Sequence, residues 1–164
     1  MTFLSVTTSD FFGYVDSVDG NVYFAADNRY RVRFGTDTYL HTGDTLYSYS
    51  AKYNQVTIEP AMRYLSHAEQ VNWLRQLDRW YDWEVRSAGH YALVRKDDDL
   101  PGDLPDRMTV SIDSVAGRIA WIEYEDINGD ENRLIVNEQR LDSECRDSLF
   151  VPDFPDSVEI IIMP

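Results

Sequence analysis

Asp126, Asn128, Asp130 and Asn132 set side-chain oxygens at alternate positions, the donor type that a hard cation such as calcium takes. A helix-flanked calcium loop also needs glycine at its sixth position and glutamate at its twelfth, and those places hold Glu131 and Asn137. The better reading of the run is a hairpin turn at Asn128 and Gly129. His41, His67 and His90 share no metal-ligand spacing, so no metal site is expected. Asp97, Asp98 and Asp99 form an acidic run in a polar loop with Pro101, Gly102 and Pro105, and nothing near them in sequence completes a cation site. Cys145 is the single cysteine, so no intramolecular disulfide can form. Arg146 would favour its thiolate, Glu144 would oppose it, and no histidine lies close in sequence. The chain has no nucleophile elbow, phosphate-binding glycine loop or dinucleotide fingerprint. Two acids facing one another inside a barrel, as in some glycosidases, stay open as an enzymatic alternative. Otherwise no catalytic residue and no cofactor is expected.

Composition narrows the classes further. The chain has 164 residues, 43% of them hydrophobic, which fits one domain with its own core. Fifteen Lys and Arg face 29 Asp and Glu, a net charge of -14. That excludes binding to a nucleic-acid backbone, which needs a basic face, and disfavours docking on anionic headgroups. No apolar run approaches the roughly 20 residues of a membrane-spanning helix. The start, Met1 to Val6, is too short and lacks the basic region of a secretion signal. The protein is then either cytoplasmic or a mature form from which the signal has been removed.

The elements follow from periodicity. Phe11 to Val18 reads as a strand, Asp19 and Gly20 as a turn, and Asn21 to Ala25 as the return strand. Tyr30, Val32 and Phe34 alternate with Arg31 and Arg33, period two. Short strands follow at 38–41, 46–49 and 55–58, ended by Pro60. Ser66 and Glu69 make a capping box, and Val71, Leu74, Leu77 and Tyr81, widened by Trp73 and Trp80, predict one amphipathic helix over about 67–81. Strands resume through Trp83 to Arg95, Met108 to Asp113, Ile119 to Tyr124 and Leu134 to Val136. The last, Ser157 to Met163, is apolar enough to predict a central or covered place. About ten consecutive strands with short links give a mainly β fold with one main helix. The expected sheet is antiparallel and strongly curved, forming an unclosed barrel with the helix inside it or across its mouth. Its inner face would be lined by Val32, Tyr47 or Tyr49, Val56, Trp121 and Ile160, with Trp73 and Trp80 from the helix. Such a lining suits an acyl chain, held by desolvation. The other reading is that the same residues simply pack on the helix, which makes the chain a noncatalytic interaction or scaffold domain with a filled core.

Three segments resemble the periplasmic lipoprotein-carrier family of the LolA type. Asp27 to Phe34 (DNRYRVRF) is similar to the family strand PGKFRWEY. Gly43 to Tyr49 (GDTLYSY), with Gln55, Val56 and Thr57, resembles DGxxLWxY followed by QVT. Gly117 to Ile119, the turn at Asn128 and Gly129, Phe150, and Pro155 to Ile161 (PDSVEII) resemble the family's C-terminal part, which ends PxGVxVI. The likeness runs over roughly residues 12 to 161. It implies an unclosed barrel of about eleven antiparallel strands covered by helices, with a hydrophobic cavity. It implies carriage of lipoprotein acyl chains, or of another lipid, from an inner-membrane transporter to an outer-membrane receptor, with no cofactor. It places the protein in the periplasm, and makes residues 1–164 one carrier domain without the family's signal and opening helix. Ala26 stands where the family's lid-tethering arginine would fall, and Asp27 at the following proline.

Overall fold

Alternation of apolar and polar side chains dominates the chain, and in the computed structural model it becomes strands. The structure describes residues 1–61, 77–96, 104–140 and 145–164. Among them are β1 (Thr2–Ser9), β2 (Tyr14–Phe24), β3 (Tyr30–Phe34), β4 (Asp37–His41), β5 (Thr45–Ser50), β6 (Gln55–Pro60), β7 (Tyr81–Ser87), β8 (His90–Arg95), β9 (Arg107–Asp113), β10 (Arg118–Glu125), β11 (Glu131–Glu138) and β12 (Glu159–Ile162). One short helix, α1 (Leu77–Trp80), and a 3-10 turn, Asp147–Phe150, complete the described elements. The chain divides into two compact units. The first comprises Met1, Gly20–Ala68 and Arg140–Pro164; the second comprises Thr2–Asp19 and Glu69–Gln139.

In the first unit the strand order is β12-β6-β5-β4-β3-β2. β2 to β6 pair as successive antiparallel neighbours. β12 pairs with β6 in parallel, Ile160 opposite Val56 and Ile162 opposite Ile58. Asn54 anchors that junction. It adopts φ 47°, its side-chain amide donates to the Ser157 carbonyl at 2.9 Å, and its own carbonyl accepts from the Glu159 N–H at 2.9 Å.

In the second unit β1, β11, β10, β9, β8 and β7 follow one another in that order. Register places Ile122 opposite Val110 and Leu93 opposite Met108, so all four share one face. Leu77, Tyr81 and Leu104 close over them in one buried cluster. The Tyr81 side chain is fully buried, and its hydroxyl donates to the Pro105 carbonyl at 2.9 Å.

Several expectations are corrected. The sheet is open and not strongly curled, so the strongly curved antiparallel sheet forming an unclosed barrel is not what forms. That expectation came from packing all strands round one hollow, whereas each compact unit buries apolar residues of its own. Antiparallel pairing is not universal either. Parallel strands need a long connection, and the chain from Pro60 to Glu159 supplies one for β12. β12 sits at the edge of its unit, with Ile160 and Ile162 exposed. Asp19 and Gly20 make no turn. β2 runs straight through them, Gly20 opposite Phe34, and the reversal falls at Gly13, which has φ +66°. Of the helix over 67–81, Leu77–Trp80 is helical and Tyr81 already opens β7; the rest, Trp73 included, lies outside the described residues.

Candidate functional site

The pleat sorts the first unit's side chains onto two faces, since residues directly opposite in adjacent strands point the same way. Leu40 is opposite Tyr47, Thr38 opposite Tyr49, Tyr49 opposite Val56 and Tyr47 opposite Ile58. Ile160 joins them through Val56. These residues make one apolar, aromatic face. Leu40 and Val56 are buried, Tyr47 and Tyr49 half-buried. The C-terminal segment lies on this face. The Phe154 ring centroid is 5.5 Å from that of Tyr49 and 6.0 Å from that of Tyr47.

Cations hold that segment in place. Arg31, opposite Leu40 and so on the same face, donates from Nη1 to the Leu149 carbonyl at 3.3 Å. Arg29 donates from Nε to both Asp27 oxygens, 3.0 and 2.8 Å, and from Nη2 to Asp147 Oδ1 at 2.8 Å. Its guanidinium lies 5.1 Å from the centre of the Phe150 ring. The Arg29 hydrogen bonds hold the Asp27 carboxyl below its ordinary range. Sequence reading cited Phe150 only for a resemblance and gave Phe154 and Arg29 no role.

The residues expected to line a cavity separate as follows. Tyr47, Tyr49, Val56 and Ile160 share the face just described. Val32 is buried on the other face of the same strands, opposite Tyr39. In the second unit Trp80 is half-buried against the core cluster, under the Arg79 guanidinium. Trp121 points away from that cluster, because it pairs with Ser111 while its neighbour Ile122 pairs with Val110. Its ring lies 5.8 Å from His90 and 5.0 Å from the Arg133 guanidinium. On that side of the second unit is a groove of about 530 Å³, walled by Thr8, Thr109, Glu123, Glu131, Arg107 and Arg133. Its lining is mixed, since Val6, Met108 and Tyr124 also contribute, and the Glu123–Arg133 ion pair at 3.2 Å crosses β10 to β11.

Nothing in the described geometry assembles a reactive group. Among the described residues no three His, Cys, Asp or Glu side chains come together to hold a metal ion. The Asp126 carboxylate is used by its own hairpin. One oxygen accepts from the N–H groups of Asn128 at 2.9 Å and Asp130 at 3.1 Å, the other from the Asn132 amide at 3.2 Å. Burial pushes the Tyr81 hydroxyl up to about 12 and raises Tyr39 and Tyr124, which keeps all three neutral. The acidic run Asp97 to Asp99 and His67 lie outside the described residues.

Among solved structures, the chain is similar to an uncharacterized conserved protein from Thermus thermophilus, with 15% identity and a TM-score of 0.57 over 99% of this chain and 91% of that one. That likeness is one of fold. It is also similar to a LolA-superfamily protein from Nitrosomonas europaea, with 12% identity and a TM-score of 0.46 over 92% of this chain and 88% of that one. No protein-family model matches the chain, and no curated protein sequence does.

Proposed function

We propose that the protein is a noncatalytic carrier that shields the acyl chains of a lipoprotein, or of another lipid, during transfer across the periplasm. The observation that carries this reading is the aromatic face of the first unit, where Tyr47, Tyr49 and Val56 point the same way and a single phenylalanine, Phe154, rests on the two tyrosines. An alkyl chain would take the place of the Phe154 ring, gaining about 0.8 kcal/mol for each methylene it buries. The resemblance of Asp27 to Phe34 and Gly43 to Thr57 to the carrier family's strands supports the same cargo class. In this reading residues 1–164 act as one carrier domain, loaded at an inner-membrane transporter and unloaded at an outer-membrane receptor.

Phe154 also favours a second reading, in which the face is permanently filled and the domain serves as a scaffold. Native mass spectrometry of gently purified protein, followed by lipid extraction and titration with a triacylated lipopeptide, separates the two. A carrier shows bound acyl species, and Tyr49→Asp, which sets a charge on the face, loses them. A protein that neither arrives with lipid nor takes up the lipopeptide is the scaffold.

A further inference from the structure

The reversal between β1 and β2, in the second unit, presents aromatic rings to solvent. Phe11 is 87% exposed, Phe12 70%, Val15 70% and Tyr14 43%. The rings pack on one another. Phe11 meets Phe12 edge-on at 4.9 Å between centroids, and Phe12 stacks with Tyr14 at 6.4 Å. The turn that carries them is built firmly. The Gly13 N–H donates to the Ser9 carbonyl at 2.8 Å, the Phe12 N–H donates to Ser9 Oγ at 3.4 Å, and Ser9 itself is buried. Gly13 supplies the positive φ that this closure needs. Two exposed phenyl groups are thus carried on a reversal that a buried serine fixes.

We propose that this reversal is a membrane anchor that sinks Phe11 and Phe12 into the interface of a zwitterionic lipid bilayer. A short reversal whose two phenyl rings stand mostly in solvent can insert into a soft surface. Phe11 and Phe12 lie in the reversal and Tyr14 opens the strand after it, a pairing of apolar and amphipathic rings that suits the boundary between acyl chain and headgroup. Charge selects the lipid. Residues 1–19 contain no Lys or Arg, and Asp10 and Asp16 flank the rings in sequence. The acids beside the rings repel anionic headgroups, so the contact with a zwitterionic surface is apolar and independent of screening. The inference does not rest on the carrier reading, since it uses neither Tyr47, Tyr49 nor Phe154.

The test is flotation of the full chain with phosphatidylcholine vesicles, beside vesicles containing about one-third phosphatidylglycerol. The wild type floats with phosphatidylcholine at low and high salt alike, and less with the anionic vesicles. The double variant Phe11→Ser, Phe12→Ser binds at least about tenfold more weakly, while Val85→Ser, an exposed apolar site on β7, binds as the wild type does. A separate variant, Phe12→Trp, shifts its emission to the blue on adding phosphatidylcholine. Failure to float, undiminished flotation of the double variant, stronger binding to anionic vesicles, or unchanged emission from Phe12→Trp overturns the anchor. Acyl loading measured by native mass spectrometry stays unchanged in the double variant, so loss of loading and loss of anchoring are read separately.

Discussion

Arg29 and Asp147 lie 118 residues apart in the chain and meet through a hydrogen bond of 2.8 Å from Nη2 to Oδ1. The pair is solvent-facing at the aspartate end, so its Coulomb attraction contributes little to global stability. Its effect is positional, because the same guanidinium covers Phe150 and is pinned at its base by Asp27. Arg29→Ala should loosen the segment from Asp147 to Phe154 without unfolding the strands. Hydrogen exchange checks this: amides of the 3-10 turn should exchange about tenfold faster, while those of β4 and β5 stay as in the wild type. Asp147→Asn, which keeps the Asp27 pair, should give a smaller change.

His41 provides a pH dependence with a definite sign. Its ring lies flat on Tyr30, 4.8 Å between centroids and 4° between planes, with Nδ1 3.2 Å from the Asn28 carbonyl. Burial lowers its pKa in the folded protein, despite an opposing pull from that carbonyl and Asp44. Below the ordinary histidine range of about 6.5 the unfolded chain therefore binds more protons than the folded one. Stability should be highest above that range, fall as pH drops from it through the lowered folded value, and then level off. Urea denaturation across this window should show the slope in the wild type and its loss in His41→Gln.

Tyr81 works at the other end of the scale. Its hydroxyl is buried with one carbonyl partner, and its pKa is pushed up to about 12 from 10.0. The folded state holds this proton more tightly, so the neutral phenol's contribution is complete below pH 10 and is lost as pH rises from 10 through 12. Tyr81→Phe should cost about 1 kcal/mol near neutrality, the net worth of the lost hydrogen bond. The variant should also lose that part of the alkaline fall in stability, read from denaturation curves above about pH 9.

Gly89 and Gly117 separate two costs that glycine avoids. Both have positive φ, 76° and 62°. A Cβ at Gly89 would come within 2.9 Å of the Ile112 carbonyl oxygen, a backbone atom whose ladder partner is fixed, while a Cβ at Gly117 would meet nothing. Gly117→Ala should therefore cost only the left-handed penalty, about 1 kcal/mol. Gly89→Ala adds the clash and should cost about 2–3 kcal/mol. Thermal or urea melts of the two variants decide the ranking.

Strands were legible where each one buries alternate residues and a turn residue closes its ends, as from Tyr30 to Pro60, because period two then marks the strand whichever face it buries. Asp19 and Gly20 misled for the opposite reason. A strong local turn signal is overridden when the ladder continues through it, here with Gly20 opposite Phe34. β12 was legible as a strand but not in its place, since no local pattern tells an edge strand paired in parallel from a central one. That the sheet stays open was not legible either, because counting strands says nothing about how many compact units they fill. Of the aromatic face, Tyr47 and Tyr49 could be read from alternation. The residues that cover and latch it, Phe154, Arg29 and Asp147, come from remote parts of the chain and leave no spacing to read.

Phe154 decides whether that face is a binding site or a core. It touches two half-buried tyrosines and sits in a segment held by polar contacts at Arg29 and Arg31. If the ring is an ordinary core residue, Phe154→Ala leaves a cavity and should destabilise the protein by about 3 kcal/mol or more, with no gain in lipid binding. If the ring occupies a carrier's face, its removal exposes apolar surface that an acyl chain covers better than water does. The carrier reading therefore expects Phe154→Ala to bind a triacylated lipopeptide about tenfold more tightly than the wild type, and to melt at a higher temperature with the lipopeptide than without it. Tyr47→Ala should weaken the same binding, because it removes a wall instead of the occupant. Titration calorimetry on the wild type and both variants reads the two directions together, and loss of affinity in Phe154→Ala would exclude displacement of the ring by cargo.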